Sequence, residues 1–206
     1  MSNCVKKCSE VDGSLIGFGD FKVFKNVKGM KWAYPKYDNE QALYIQLPTI
    51  KLSTYGFPKQ DDYHTQEQRN YVKLPLAHPE HTSCIDCFNR LDLRFGSDEF
   101  KQKMFGDSWE RYQYTPILRN PNDGKPLYAR IKLMMNYEDK SIDAEVLVKM
   151  EDIKTNACID DANDVAEVVC FMSDVKCIIK LSKLWTLSSF KYGLTLTLTK
   201  ILVEQN

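Results

Sequence analysis

Three histidines in 206 residues leave this chain short of general bases. No phosphate-binding P-loop occurs, and Gly17-Phe-Gly19 stops short of a dinucleotide fingerprint. Neither His-Glu-x-x-His nor Gly-x-Ser-x-Gly is present. These absences argue against an enzyme, and no cofactor is expected. No run approaches the roughly 20 apolar residues that a membrane helix needs, so no membrane partner is expected. The stretch 1–8 has no apolar core of the kind a secretory leader carries, and no Asn-x-Ser/Thr acceptor follows. Seven cysteines without an export signal point to reduced thiols in a cytoplasmic or nuclear setting. Repeats, low-complexity tracts and linkers are absent. The expectation is one domain over 1–206, with a flexible segment over 1–20.

Net charge is also missing: 28 basic residues balance 28 acidic ones. The balance is uneven along the chain. Residues 138–175 hold three lysines against eleven acids, whereas residues 176–206 hold five lysines against one acid. Folding can therefore separate a basic face from an acidic one. The default for the acidic block is a solvated surface.

Strand signals dominate what is there. Leu194, Leu196 and Leu198 alternate with Thr195, Thr197 and Thr199, the period of a half-buried strand. The strand before it, 177–185, sets Cys177, Ile179 and Leu181 against Lys180 and Ser182. Residues 21–27 and 43–47 read as strands, and Pro48 with a phase change after it indicates an edge or a bulge. Residues 53–80 form a long polar loop with a short strand at 71–76. Residues 97–106 form a short capped helix, and a second begins at 161–165. Runs 127–135 and 142–150 alternate on either side of 136–141 and read as a hairpin, in which Lys132 faces Glu145. A bulge near Thr199-Lys200 would keep Lys200 out of the core. The fold class expected is α+β, mainly antiparallel β: an OB-like, partly open barrel with two short helices and a long loop.

Two constellations carry chemistry. His78, His81, Cys84 and Cys87 are all zinc-ligand types. Four residues at steps of three span about 13 Å along a helix and drift around it, so a tetrahedral site requires the segment to wrap as a loop. The plainer reading makes the cysteines small buried residues, and no metal is assigned. The second constellation is aromatic and basic. Trp32, Tyr34 and Tyr37 lie among Lys22, Lys25, Lys28 and Lys31; Trp185 and Tyr192 lie among Lys183 and Lys191. Bases stack on such rings while lysines track phosphates. The competing view is that most of these rings are core.

Three blocks, Leu43-Tyr-Ile-Gln-Leu-Pro-Thr-Ile-Lys-Leu-Ser53, Tyr114-Thr-Pro-Ile-Leu-Arg119 and Cys177-Ile-Ile-Lys-Leu-Ser-Lys-Leu-Trp185 followed by Lys191-Tyr-Gly-Leu-Thr-Leu-Thr-Leu198, occur in this order. In that order they resemble a family of single-stranded-DNA-binding-like proteins of nucleocytoplasmic large DNA viruses. The resemblance implies an OB-fold-like, non-catalytic protein that coats single-stranded DNA during viral DNA replication or recombination. It implies a place in the host cytoplasm or nucleus, in the viral factory, with viral replication proteins as partners. The alternative is a virion structural protein, a minor capsid or assembly component.

Overall fold

The chain was analysed as a computed structural model that describes residues 3–23, 29–39, 41–58, 70–77, 79–121, 124–134, 136, 138–139, 141–151 and 153–205. In chain order its strands are β1 (Asn3–Lys7), β2 (Ile16–Phe18), β3 (Lys22–Val23), β4 (Lys31–Ala33), β5 (Pro35–Tyr37), β6 (Ala42–Lys51), β7 (Tyr71–Leu76), β8 (Gln113–Thr115), β9 (Leu118–Arg119), β10 (Leu127–Leu133), β11 (Glu145–Met150), β12 (Ile153–Asn156), β13 (Asp174–Thr186) and β14 (Lys191–Gln205). Its helices are α1 (Thr82–Gly96), α2 (Asp98–Phe105) and α3 (Ala162–Val168).

The two C-terminal runs of alternating residues pair as the long antiparallel hairpin β13–β14, the spine of the sheet. The free edge of β13 takes β4 beside 184–186 and β6 beside 174–180. The free edge of β14 takes β8, β10 and β11 in succession, all parallel to it. Outside these, β1 runs parallel to β6 and β7 antiparallel to β10. A small second sheet joins β2 to β5. The fold is α+β and mostly strand; most described pairings are antiparallel, with parallel pairs mixed in along β6 and β14. Among the described residues three α-helices are present rather than two. Among the described residues the main sheet runs from β1 to β7 without closing into a barrel.

Three interruptions set which side chains face which way. At Pro48 two residues of β6 oppose Cys177 alone, a bulge inside a paired strand. Thr199 is the extra residue between Leu198, opposite Ile179, and Lys200, opposite Ile178. That bulge turns Lys200 outward, where its ammonium meets Glu145 at 2.8 Å. The third, at Ser182, has no counterpart in the sequence reading. Leu181 faces Leu196 and Lys183 faces Thr195, so Ser182 is unmatched. Its hydroxyl donates to Thr197 Oγ1 at 2.6 Å. A strand's side chains alternate strictly. Were the strand to pair regularly through Ser182, Trp185 would share the inner face of Ile179 and Leu181; with Ser182 bulged out, Trp185 faces outward.

Among the described residues the 127–150 hairpin forms only at its tip, and β10 and β11 do not pair. The chain turns back over 134–143, where Asn136 N–H donates to Ser141 O at 2.9 Å and Asp143 N–H to Met134 O at 2.8 Å. Its flanks then part. β10 meets β14 at Lys132–Thr197, and β11 meets it at Glu145–Lys200. Alternation fixes which face a residue takes, not which strand lies beside it. Glu145 is therefore the partner of Lys200, not of Lys132.

α1 covers the inner face. Its Cys84, Ile85, Cys87, Phe88, Leu91 and Phe95 are buried in one cluster with Leu43, Ile45, Leu74, Ile131, Ile179 and Leu181. Asp92, on the same helix, accepts from Tyr114 Oη, Ile117 N and Leu118 N at 2.8, 2.8 and 3.1 Å. It ties α1 to the segment between β8 and β9. At the helix start His81 Nδ1 accepts from Ala77 N–H at 3.0 Å, which leaves Nε2 to donate to Thr49 O at 3.3 Å. α2 begins as expected, with Ser97 Oγ accepting from Phe100 N–H at 3.2 Å. α3 is capped by Asp161. The 53–80 segment contains β7 at the expected place, and its residues 59–69 lie outside the described ones.

Candidate nucleic-acid interface

With α1 on one side, no helix among the described residues covers the other face of the sheet, and the strand register determines what it presents. Residues directly opposite one another share a face. Trp32 pairs with Trp185 and Lys22 with Trp32. Tyr44 pairs with Lys180, Lys180 with Thr197, and Thr197 with Lys132. Lys132 pairs with Tyr71, and Arg130 with Lys73. The outer face thus crosses β4, β6, β13, β14, β10 and β7 as a mosaic of cations, rings and hydroxyls.

Cations and rings on this face are coupled. Lys22 Nζ stands 5.2 Å from the centroids of both Trp32 and Tyr34. Lys180 Nζ stands 5.6 Å from Tyr44. Lys73 Nζ lies 5.3 Å from Tyr128 and 5.8 Å from Tyr55, and the Arg130 guanidinium 3.8 Å from Tyr71. Such contacts hold each charge over a ring at modest cost. Towards the β11 end the character changes: Lys176 meets Glu204 at 2.8 Å, and Lys200 meets Glu145. Lys176 holds the Glu204 carboxyl below its ordinary pKa. Among the described outward residues of 42–46, 178–185, 193–197, 128–132 and 71–75 there is no carboxylate.

The residues singled out by sequence divide sharply. Lys22, Trp32, Lys183 and Trp185 share the outer face, with Tyr34 edge-on to Trp32 at 4.4 Å. Lys31 and Lys191 are exposed at the neighbouring end of the sheet. Lys25 and Lys28 lie outside the described residues. Tyr37 and Tyr192 are core residues, 4% and 0% exposed, which corrects their reading as contact residues. Tyr37 pairs with Ile16 in the small sheet. Tyr192 points inward because its neighbours Lys191 and Gly193 point outward. It packs on Phe105 and Tyr114 and donates its hydroxyl to Phe95 O at 2.5 Å. Tyr55, Tyr71, Lys73, Tyr128 and Arg130 escaped the sequence reading, and Lys132 was set aside there as a partner of Glu145. Their signal was present in the strand polar faces, where Tyr71-Val-Lys73 and Tyr128-Ala-Arg130-Ile-Lys132 alternate with buried residues.

Trp185 reaches beyond its own strand. A methyl group at Gly193 would stand 2.9 Å from Trp185 Cζ2 and 3.0 Å from Thr115 O. The indole therefore lies across β14 over a residue that has no side chain, with its edge near β8.

The His/Cys set does not wrap as a loop. His78 lies outside the described residues, His81 is held by backbone groups, and Cys84 and Cys87 lie on α1 in the core. There they meet Cys8, whose thiol pKa is pushed up to about 12, first by its hydrogen bond with Cys84. The Cys87 thiol is likewise raised, by its hydrogen bond with Cys8 and by burial. Raised thiols are poor ligands and poor nucleophiles. Among the described residues no group of three or more His, Cys, Asp or Glu is arranged to hold a metal ion, and no helix is long and apolar enough to cross a membrane.

No family model matches the sequence. It is 24% identical over 197 residues to Uncharacterized protein R505 of Acanthamoeba polyphaga mimivirus, covering 77% of this chain and 48% of that protein. The chain thus spans about half the length of the curated relative it matches. Among solved structures it is similar to the C-terminally truncated single-stranded DNA-binding protein of bacteriophage Enc34, with a TM-score of 0.49 at 12% identity over 90% of this chain and 95% of that one. It is also similar to gp2.5, a single-stranded DNA-binding protein encoded by bacteriophage T7, with a TM-score of 0.44 at 12% identity over 80% of this chain and 87% of that one.

Proposed function

We propose that this protein binds single-stranded DNA without catalysis, along the open face of its main sheet, and serves viral DNA replication or recombination in the infected cell. The observation that carries this is the carboxylate-free mosaic of Lys22, Lys73, Arg130, Lys132, Lys180 and Lys183 with Trp32, Tyr34, Tyr44, Tyr71, Tyr128 and Trp185. Rings stack unpaired bases whatever their identity, and cations follow the phosphates. A duplex hides its bases from such rings, so the face suits a single strand. The same reading takes the sheet as an opened relative of the OB-like barrel.

The test is tryptophan quenching by oligothymidine. Single-stranded oligonucleotide is expected to quench at low salt and duplex of equal length to quench much less. Replacing Trp32 and Trp185 together by alanine should weaken binding by about 2–6 kcal/mol at about 1–3 per stacked base, in a protein that still melts cooperatively. Absence of quenching at low salt in a folded protein would reject this reading and put the virion-structural alternative in front.

A further inference from the structure

The outer edge of β14 is not continuously paired. β8 accompanies it as far as Gly193, and β10 joins it again at Thr197. Over 194–196 no strand lies alongside among the described residues, and a notch about 10 Å long interrupts the sheet, at about 3.3 Å per residue. Thr115, Arg119, Arg130, Trp185, Leu194 and Leu196 are among the residues that line it.

The lining has a definite chemistry. Two arginines, Arg119 and Arg130, line one side. Arg130 is held over Tyr71, and Arg119 belongs to β9, which pairs with β10 at Tyr128. The Trp185 indole enters from the other side over Gly193. No carboxylate lines the notch among the described residues. Its third side is fixed: Asp92 takes the Ile117 and Leu118 N–H groups and holds the β8–β9 segment against α1. A flat apolar wall beside two forked cations is what a planar base with an attached phosphate requires. Three residues of open edge are too few for an added peptide strand of ordinary length.

We infer that the notch takes one unstacked nucleotide of a bound strand, its base against Trp185 and its phosphate on Arg119 and Arg130. This rests on the reading of the open face as a single-strand surface, and makes the notch a place where the strand is gripped rather than merely stacked.

The experiment uses the full chain with Trp32→Phe and Trp109→Phe, so that Trp185 is the sole tryptophan. Thymidine 5′-monophosphate, thymidine and oligothymidine are titrated against its fluorescence. The monophosphate is expected to quench, thymidine to bind about tenfold more weakly, and Arg119→Gln to weaken the monophosphate about tenfold, the worth of a charged hydrogen bond. Arg119→Lys should fall between, because it keeps the charge and loses the fork. Melting curves confirm that each variant is folded. Quenching by oligothymidine but not by the monophosphate overturns the notch and leaves the open face standing. Monophosphate binding unchanged in a folded Arg119→Gln also overturns it. Quenching by none of the three ligands also overturns the notch, and the wild-type oligothymidine titration decides the face reading separately.

Discussion

At Gly193 a single hydrogen in place of a side chain sets the position of a ring. Trp185 reaches over β14 because no side chain stands at Gly193, and Thr115 O also borders that space. Gly193→Ala is therefore expected to lower stability by about 1–3 kcal/mol, the usual cost of overpacking. It should also lift the indole, so that oligothymidine quenching of Trp185 falls while that of Trp32 persists. A melting curve and single-tryptophan titrations read the two effects. One residue earlier the roles reverse. Tyr192→Phe removes the hydroxyl that Phe95 O accepts and is expected to cost about 1 kcal/mol with binding unchanged, which would confirm that Tyr192 is structural. Lys191, Tyr192 and Gly193 are adjacent in sequence and opposite in space. Composition alone groups Tyr192 with Trp185; only strand phase separates them. Tyr37 was misjudged for the same reason, since Trp32 and Tyr37 belong to different sheets.

Elements show where phase itself becomes legible. The Thr199 bulge was readable, because Lys200 would otherwise enter the core. The Ser182 bulge was not, because serine and lysine follow one another and either tolerates the outer face. Deleting Ser182 removes the bulge and leaves Leu181 opposite Leu196 and Lys183 opposite Thr195, so Lys183 and Trp185 are expected to stay outward. The cost is the hydroxyl bond to Thr197, about 1 kcal/mol in a melting curve, with oligothymidine quenching retained. α1, the longest helix, went unread although Cys84, Phe88, Leu91 and Phe95 recur at helical spacing. The zinc-ligand residue types at 78–87 drew the reading to the cysteines as buried residues and not to the helix that carries them. The tie between α1 and the β8–β9 segment gives a pH prediction. Burial raises the Asp92 pKa above its ordinary value, against the hydrogen bonds it accepts from Ile117, Leu118 and Tyr114. Between the ordinary and the raised value the folded state holds a proton that the unfolded state has released. Stability from this group is thus full at low pH and falls as pH rises through that window. Asp92→Asn cannot titrate, and it turns an amide donor towards one of the three donors Asp92 satisfies. It should be less stable by about 1–3 kcal/mol, with the gap to wild type narrowing as pH rises. Melting temperatures of both proteins across the acid range test the sign.

Across the whole molecule, a neutral total conceals segregation. Lysines and arginines without carboxylates occupy one stretch of the outer face, while paired charges and the acidic α3 segment occupy the β11 end and its surroundings. The sequence revealed this separation as blocks, but not that cations from β3, β7, β10 and β13 would lie side by side, since that depends on strand order. A strand crossing all six cations should show log K falling against log salt with a slope of about −4, at about −0.7 per phosphate neutralised. Some stacking should survive at high salt. A slope near zero in a salt titration would mean that the cations are not engaged. The strand order has a consequence of its own for how the molecule is made. β14 is the partner of β8, β10, β11 and β13, and it is C-terminal to all of them. During synthesis, at about 5–20 residues per second, those strands leave the ribosome before the strand that joins them exists. Their edges wait unpaired, open to other chains. The assembly of the sheet is a late, non-local event of the kind that folds slowly, and a nascent chain stalled before residue 191 is a species that chaperones must hold.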